Sequence, residues 1–413
     1  MRDIIIKNSD RFKSVFVTVN MLLPLKATMT GKNALLAMVL KKSNELYKTE
    51  KELERALADL YDTTIDVNVE KLDNLYNIQF CMELLNGKYM SKEDIENAKQ
   101  ILCAIICKPN IIEGNFVQDI FEREKATLLE RIAEERDDKK KYALECLRQD
   151  MFKDTEYETS SLGTVEMVEK ITNDDLIKHY NYVINTAQVV VSAVGNLTGM
   201  EQLPQAIHKE ICEKCGKHVV QNVQDVGIAY EGIKERVENQ DINQSVLCIG
   251  LRVENVTKED TYALTLYNAI LGGTPASKLF QNVREKESLA YFAKSQYSKL
   301  KQVIYMFSGV DPINNEKAKR VMLEQLELIK NGDVSEKEFY AAKQSLISAY
   351  KELKDSKVAI TRNMLNNEML FGLNVDIDKM IEKIQQLELQ DIVDVARKVK
   401  ATNVFLLGGV ARV

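Results

Sequence analysis

Hydrophobic and polar residues alternate early in the chain in a pattern typical of β-strands. The stretch Phe16-Val-Thr-Val-Asn-Met-Leu-Leu23 predicts a first strand. Two further strand-like pieces, residues 64–69 and 75–80, are joined by a polar turn and predict a hairpin. Between that strand and the hairpin, apolar residues recur at helical spacing over residues 33–46 and 50–60, so two helices are predicted there.

Helical periodicity continues through most of the first half of the chain. Residues 91–107 predict a helix that begins at Ser91, with Glu93 in its first turn. A single long helix is predicted over residues 114–152. Its charge block at residues 134–141 mixes both signs, which is typical of a solvated helix face. The apolar residues that predict its buried side are Phe121, Leu128, Leu129, Ile132, Leu144 and Leu147.

The second half of the chain repeats the plan of the first. Met167-Val-Glu-Lys-Ile171 recurs as Met380-Ile-Glu-Lys-Ile384, an offset of 213 residues, and an apolar strand ending in glycine follows each copy. Lys71-Leu72 recurs as Lys299-Leu300 at an offset of 228 residues. A period this long indicates tandem domains rather than a solenoid.

The predicted order in each half is strand, helix pair, hairpin, helix, long helix, helix and closing strand. This order predicts an α+β fold with two tandem homologous domains, each a mainly antiparallel sheet covered on one face by helices. We place the N-terminal domain at residues 1–220, a linker at 221–240 and the C-terminal domain at 241–413.

The charge, apolar runs and cysteine count of the chain argue against several classes of partner and compartment. The net charge of −6 argues against a nucleic-acid partner, which would require a basic face. The longest apolar runs, residues 101–107 and 187–194, are too short to cross a bilayer, and the N-terminus lacks the apolar core of a signal peptide. Seven cysteines, an odd number in a large chain, favour a reducing compartment over a disulfide framework. We therefore expect a cytoplasmic protein with no membrane partner.

The segment from Leu271 to Tyr291 carries the clearest functional pattern. A pair of glycines, Gly272 and Gly273, ends an apolar helical run and is followed by Thr-Pro. A second helix then starts at Ser-Lys-Leu-Phe and carries Arg284, seven residues before Tyr291. Taken alone, the glycines also fit a plain helix C-cap followed by a proline stop, and the other two residues fit a polar helix and a strand start.

This segment resembles the substrate-binding segment of the insulinase/pitrilysin-type zinc peptidases, in the subfamily of the mitochondrial processing peptidase. The resemblance covers essentially the whole chain. It implies a half-chamber fold in which Arg284 and Tyr291 hold the substrate backbone near the scissile bond, and in which Gly272 and Gly273 allow close approach of a peptide. The residue types suit these roles, because guanidinium offers fixed donors and a phenol can donate to a developing oxyanion.

The same resemblance implies a zinc site, and the sequence departs from it. Inverted zincins carry His-x-x-Glu-His on the first helix, which places two zinc ligands and the catalytic glutamate on one face. Aligned with that family, this chain has Leu35, Met38 and Val39 at those positions. The distal ligand position falls on Arg131, with Glu130 adjacent. No histidine precedes His179, so we predict no zinc site and no metal cofactor in this chain.

Two cysteines and two histidines gather near the predicted domain boundary. His208, Cys212, Cys215 and His218 fall within eleven residues, and the first three would share a helix face. Three interpretations stay open for them: a structural metal site, redox chemistry, or a solvated helix end.

The resemblance and the lost zinc motif together predict a non-catalytic, substrate-binding subunit of a heterodimeric zinc metalloendopeptidase. A zinc-bearing paralogous subunit would supply the metal, and peptides or small unfolded proteins would be the substrates. A homodimer is possible when the chain is isolated. The alternative is an inactive interaction or scaffold protein of the same fold.

Overall fold

The computed structural model describes residues 1–220 and 232–410. The first half contains, in chain order, β1 (Ile4–Asn8), β2 (Ser14–Pro24), α1 (Thr30–Leu40), α2 (Glu50–Asp59), β3 (Thr64–Leu72), β4 (Leu75–Leu85), α3 (Lys92–Cys107), β5 (Ile111–Ile112), β6 (Asn115–Phe116), α4 (Gln118–Asp137), α5 (Lys139–Met151), α6 (Val165–Glu169), α7 (Asn173–Thr186), β7 (Gln188–Gly195) and α8 (Leu203–Cys215).

The second half includes two consecutive π-helical segments. Its elements are β8 (Lys234–Asn239), β9 (Ser245–Val253), α9 (Asp260–Asn268), the π-helical segments Ala269–Gly273 and Leu279–Lys286, β10 (Ala290–Ser298), β11 (Val303–Val310), α10 (Asn315–Lys330), α11 (Glu336–Leu353), α12 (Lys357–Phe371), α13 (Ile377–Gln386), α14 (Leu389–Ala396) and β12 (Val399–Gly408).

Side-chain caps fix several helix starts, and one of them, at Ser91, was predicted from the sequence. Ser91 accepts a hydrogen bond from the backbone N–H of Asp94, and the Asp94 carboxylate accepts one in return from the N–H of Ser91. This reciprocal pair satisfies two backbone donors that a helix start leaves unpaired. The same arrangement starts α2, α7 and α11.

The prediction of one continuous helix over residues 114–152 is wrong. The helix breaks at Asp138, whose extended backbone carries a carboxylate that accepts hydrogen bonds from the N–H groups of Lys140 and Lys141, both at 3.1 Å. Asp138 therefore acts as an N-cap in the middle of a charge block that has helical periodicity. The early part of the prediction fails because Gly114 lies in the turn between β5 and β6.

Ten of the twelve described strands form two five-stranded sheets with the same topology, and β5 pairs separately with β6. The first has the order β1-β7-β2-β4-β3 and the second the order β10-β11-β9-β12-β8. In each, one outer pair is parallel (β1 with β7, β8 with β12) and every other pair is antiparallel. The mainly antiparallel α+β architecture predicted from the repeat is confirmed.

The chain divides into two compact units, and each contains a segment from the other half of the sequence. The first unit comprises residues 1–134, 155–226 and 355–374, and the second comprises the rest. The helix α5 thus belongs to the second unit and α12 to the first. The predicted linker at 221–240 lies largely outside the described residues, and the predicted domain limits stay a prediction.

In the first unit the inward-facing residues of β2, such as Val15 and Val17, join the apolar core under α1, α3 and α7. The opposite face of this sheet mixes polar and apolar residues, and α12 packs across β2 and β7 on that side. Lys357 of α12 donates to Glu83 at 2.6 Å, and Arg362 donates to Glu70 at 3.0 Å. The helix on this second face was not indicated by the hydrophobic pattern.

The second unit has the equivalent arrangement, with α5 on the outer face of its sheet. Close packing there depends on Gly250 of β9, because an added Cβ would lie 2.2 Å from the sulfur of Met151 at the end of α5. Arg236 of β8 pairs with Asp150 at 2.8 Å.

Among the described residues, no helix combines the length and apolar character that a bilayer crossing needs.

A buried histidine connects α7 to α1 in the first unit. His179 is 5% exposed, and its Nε2 lies 2.7 Å from Oδ1 of Asn33. Burial, with a smaller contribution from Lys32, lowers the pKa of His179 from 6.5 to about 4. The imidazole is therefore neutral in the folded protein at pH 7 and donates to the amide oxygen.

We expect acid to destabilise the first unit through His179. The unfolded chain takes up a proton near pH 6.5, while the folded chain resists it until about pH 4. The free energy of unfolding should therefore fall by up to about 3 kcal/mol as the pH drops through this window. Urea titrations followed by circular dichroism would measure it. His179→Gln should flatten the slope, and His218→Gln should not; equal slopes for all three proteins would contradict this assignment.

Candidate functional site

The segment from Leu271 to Tyr291 begins with a close contact between a helix and a strand. The helix α9 continues into the π-helical segment Ala269–Gly273, which ends at the extended Thr274. A Cβ at Gly272 would lie 2.5 Å from the backbone nitrogen of Ser295 in β10. Gly272 is thus required for the close approach of the two backbones. A Cβ at Gly273 would chiefly meet Asn268, with the side-chain nitrogen at 3.0 Å and the carbonyl oxygen at 3.1 Å.

A buried ion pair anchors the second π-helical segment. Lys278, immediately before it, has a side chain only 5% exposed that pairs with Glu338 of α11 at 3.0 Å. Burial would raise the pKa of Glu338, but hydrogen bonds from Ser335 and Lys278 lower it below its usual value. The segment is further held by Asn282, which donates to Gln325 at 2.6 Å. Sequence reasoning missed Lys278; its position directly before buried Leu279 was the available signal.

Arg284 and Tyr291 lie on either side of a tight turn. The N–H of Leu289 donates to the carbonyl of Val283 at 3.0 Å, which closes the connection between the π-helical segment and β10. Ser288 within this turn has a left-handed backbone, with φ of 50°. This connection therefore places the end of the second π-helical segment, which carries Arg284, next to the start of β10, which carries Tyr291.

Both side chains are available to a ligand. The Arg284 side chain is 42% exposed, with its guanidinium 4.6 Å from the Phe280 ring centroid and its Nε 3.6 Å from Glu285. Tyr291 is 70% exposed, and its hydroxyl has no hydrogen-bond partner within residues 1–220 and 232–410. An exposed guanidinium and an uncommitted phenol can donate to backbone carbonyls or a carboxylate of a peptide.

The positions aligned with a zinc motif form part of the first unit's core. Leu35 and Val39 of α1 are 0% and 3% exposed, and Met38 is half-buried against the same cluster. Arg131 and Glu130 are exposed on α4. Apolar side chains cannot replace the imidazole and carboxylate ligands that zinc requires, so these residues do not fit the metal. In the described part of the chain, no three His, Cys, Asp or Glu side chains are grouped to hold an ion.

A buried carboxylate near the end of α1 was missed by the sequence analysis. Glu124 of α4 is 4% exposed, and its Oε1 lies 3.1 Å from Arg123 Nε and 3.7 Å from Lys42 Nζ. Glu50 contacts the same two cations. Two positive and two negative side chains thus form a closed network, in which protein cations neutralise Glu124. Its helical spacing from Phe121 and Leu128 on the buried stripe was the signal for it.

The Cys and His cluster does not assemble as a metal site. His208 Nε2 lies 3.5 Å from Cys212 Sγ on the same helix. His218 instead donates through Nε2 to the backbone carbonyl of Cys215 at 2.8 Å, which supports the end of α8. These residues are not among any metal-holding group in the described structure, so the structural-metal interpretation gains no support.

Comparison with known proteins finds similarity to proteins that are described as inactive peptidases. Residues 170–346 match the family model described as the peptidase M16 inactive domain. The chain is 29% identical over 409 residues to the probable inactive metalloprotease YmfF of Bacillus subtilis, covering 98% of this chain and 95% of that protein. It is 24% identical to the non-peptidase homolog YmxG of Helicobacter pylori, over 81% of this chain and 74% of that protein.

Solved structures show the same fold. A conserved protein from Enterococcus faecalis V583 superposes with a TM-score of 0.89 at 26% identity, covering 99% of this chain and 97% of that one. A peptidase M16 inactive domain from Pseudomonas fluorescens gives a TM-score of 0.80 at 17% identity, over 98% and 96% of the two chains. The resemblance predicted from the sequence is confirmed: the chain is similar to M16-type peptidases over residues 170–346 by the family model, and over nearly its whole length to a relative described as inactive. The M16-like fold predicted with it is confirmed by the solved structures.

We expect Gly272→Ala to destabilise the second unit by about 1–3 kcal/mol, the range for forcing extra volume into a packed site. The added methyl group meets backbone of β10, which cannot move without disturbing the sheet. Gly273→Ala is the matched control and should cost less, because the nearest atom there belongs to a side chain. Chemical denaturation would measure both variants; equal losses would show that the close approach at Gly272 is not the constraint.

Purified, dialysed protein should contain no stoichiometric zinc. Leu35, Met38 and Val39 offer no ligand atoms, and the cations around Glu124 disfavour a further one. Elemental analysis by mass spectrometry measures this directly. Zinc bound at one ion per chain after dialysis would contradict the conclusion that neither the positions on α1 nor the Cys and His cluster at the end of α8 holds the metal.

Proposed function

We propose that this chain is the non-catalytic, substrate-binding subunit of a heterodimeric zinc metalloendopeptidase that acts on peptides or small unfolded proteins. The observation that supports the proposal most is an asymmetry between two sets of residues. The positions aligned with the zinc motif are apolar and packed in the core, while the side chains of Arg284 and Tyr291 are exposed to solvent. A paralogous partner subunit would supply the zinc ion.

In this role Arg284 and Tyr291 would act by binding and positioning. The guanidinium has fixed, permanently charged donors, so it would hold a backbone carbonyl or a carboxylate of the peptide. The Tyr291 hydroxyl would donate to the scissile carbonyl oxygen as negative charge develops on it. The contacts of Gly272 with β10 and of Lys278 with Glu338 support this assignment, because they fix the segment that carries both residues.

We further propose a cytoplasmic location and assembly with a zinc-bearing paralogue of this chain. All seven cysteines are free thiols in the structure, which supports a reducing compartment. A homodimer of the isolated chain is compatible with the proposal. A second copy of the chain would then occupy the partner's place without supplying zinc.

The test is a reconstitution. The chain alone should cleave no peptide, and a zinc-bearing M16 paralogue from the same cell should gain activity when the chain is added. Cleavage of a set of quenched fluorescent peptides, with the two subunits titrated against one another, measures this. Robust zinc-dependent cleavage by the pure single chain would overturn the proposal.

Within the active mixture, we expect Arg284→Ala and Tyr291→Phe each to lower the cleavage rate by up to about 10²-fold, the scale for losing one oxyanion-type donor. Arg320→Ala is a matched control, because Arg320 is 69% exposed and its Nε also lies 3.6 Å from a neighbouring glutamate. Tyr340→Phe is the second control, at 64% exposure. If the partner is activated equally by all four variants, the chain is a scaffold and its Arg and Tyr hold no substrate.

A further inference from the structure

The strand β10 contains a β-bulge at the point where it presents Tyr291. Ala290 lies opposite Val310 of β11. Phe292, two residues further along β10, lies opposite Gly309, which is only one residue away from Val310. Tyr291 is therefore the extra residue in the pairing of the two strands. A bulge of this kind bends a strand locally and changes the direction of a side chain.

The exposure of Tyr291 is consistent with this change of direction. Ala293 and Ser295 are 1% and 8% exposed, so alternate residues of β10 face the packed side of the sheet. Regular alternation would place Tyr291 on that same side. Tyr291 is instead 70% exposed. The conformation of the bulge thus sets where the Tyr291 hydroxyl points.

The residue after the bulge, Phe292, is fixed closely against β11. A Cβ at Gly309 would lie 2.5 Å from Cε1 of the Phe292 ring, so glycine is needed there for the ring to fit. The hydroxyl of Ser308 donates to the carbonyl oxygen of Phe292 at 2.9 Å. The ring centroid of Phe292 lies 6.3 Å from that of Phe307. Both the backbone and the side chain of Phe292 are therefore held by β11.

A cation from α5 lies over the same two rings. Nζ of Lys140 is 4.8 Å from the ring centroid of Phe307 and 5.5 Å from that of Phe292. Both distances fall in the range of a cation–π interaction, which stabilises this arrangement of the rings. Because α5 is far from β10 in the sequence, the local pattern of residues did not indicate this contact.

We propose that Phe292 and Lys140 are positioning residues, which hold the bulge so that the Tyr291 hydroxyl is aimed at the scissile carbonyl oxygen. This inference rests on the proposed function, because that function assigns Tyr291 the role of a hydrogen-bond donor. Phe292 acts through the backbone that it shares with Tyr291, and Lys140 acts through the Phe292 ring. Such a donor is most effective when it is aimed in advance at the place where negative charge develops.

The experiment measures peptide cleavage by the reconstituted mixture with variants of this chain. We expect Lys140→Met to lower kcat by about 2- to 5-fold, the scale of one exposed cation–π contact, with KM unchanged. Lys140→Arg should keep the wild-type rate, because a guanidinium also stacks on aromatic faces. Lys141→Met is the matched control and should have no effect, because this neighbouring side chain is 70% exposed.

A second variant displaces the Phe292 ring without changing Lys140 or Tyr291. Gly309→Ala places a methyl group against the ring and should lower kcat more than Lys140→Met does, but no more than Tyr291→Phe does. In a Tyr291→Phe background the hydroxyl is absent, so neither variant should lower the rate further. A general loss of stability would lower the rate in both backgrounds. That outcome, or a rise in KM with kcat unchanged, would overturn the proposal.

A measurement on the isolated chain distinguishes this inference from the proposed function. Protein labelled with fluorotyrosine gives a fluorine NMR resonance for Tyr291, which is assigned by its loss in Tyr291→Phe. Lys140→Met and Gly309→Ala should shift this resonance, and Lys141→Met should not. If the resonance shifts while the wild-type mixture cleaves no peptide, the positioning of Tyr291 is supported and the proposed function fails. If the mixture is active and neither variant shifts the resonance, the proposed function stands and the positioning is overturned.

Discussion

Both faces of each five-stranded sheet in this protein are covered, and much of the structure follows from that constraint. One face of each sheet packs on helices that are near it in sequence, so the residues that bury this face belong to the same half of the chain. The second face is covered by a helix from far along the chain, α12 on the first sheet and α5 on the second. The helical run breaks at Asp138, whose carboxylate caps α5, and α5 belongs to the second unit. This arrangement requires a glycine at position 250, where Met151 approaches the sheet.

The candidate site combines closely packed residues at its base with side chains that are exposed to solvent. Gly272 allows a helix to touch the backbone of β10, and the buried pair of Lys278 and Glu338 fixes the next segment. Removing one partner of such a pair would leave an uncompensated charge, so the segment has little freedom to shift. Arg284 and Tyr291 extend from this rigid base into solvent. The positions aligned with a zinc motif show the opposite arrangement, because apolar packing around Leu35 and a closed ion network around Glu124 leave no ligand set there.

Much of the fold was predictable from the pattern of residues, because the signals were local and repeated. Alternation identified β2 and the β3–β4 hairpin, Ser91 marked a helix start, and the repeat predicted two similar sheets. The errors have physical causes. Asp138 stands in a charge block that keeps helical periodicity, and only its N-cap hydrogen bonds reveal the break. Lys278 and Glu124 were missed because a charged residue is expected at the surface, and burial becomes possible only with partners that lie elsewhere in the chain.

The sequence by itself determined that its three histidines, His179, His208 and His218, are never four residues apart, and this spacing excludes a His-x-x-Glu-His zinc helix in this sequence. It also carried the resemblance to the M16-type peptidases, because the Gly-Gly, Arg and Tyr pattern lies within one continuous segment. Tertiary structure decided which distant residues meet: Lys278 with Glu338, and Lys42 with Glu124. Periodicity reports which side of an element is buried but carries no information about its partner across the core. Those pairings are set by packing between elements that lie up to about a hundred residues apart, where local pattern has no influence.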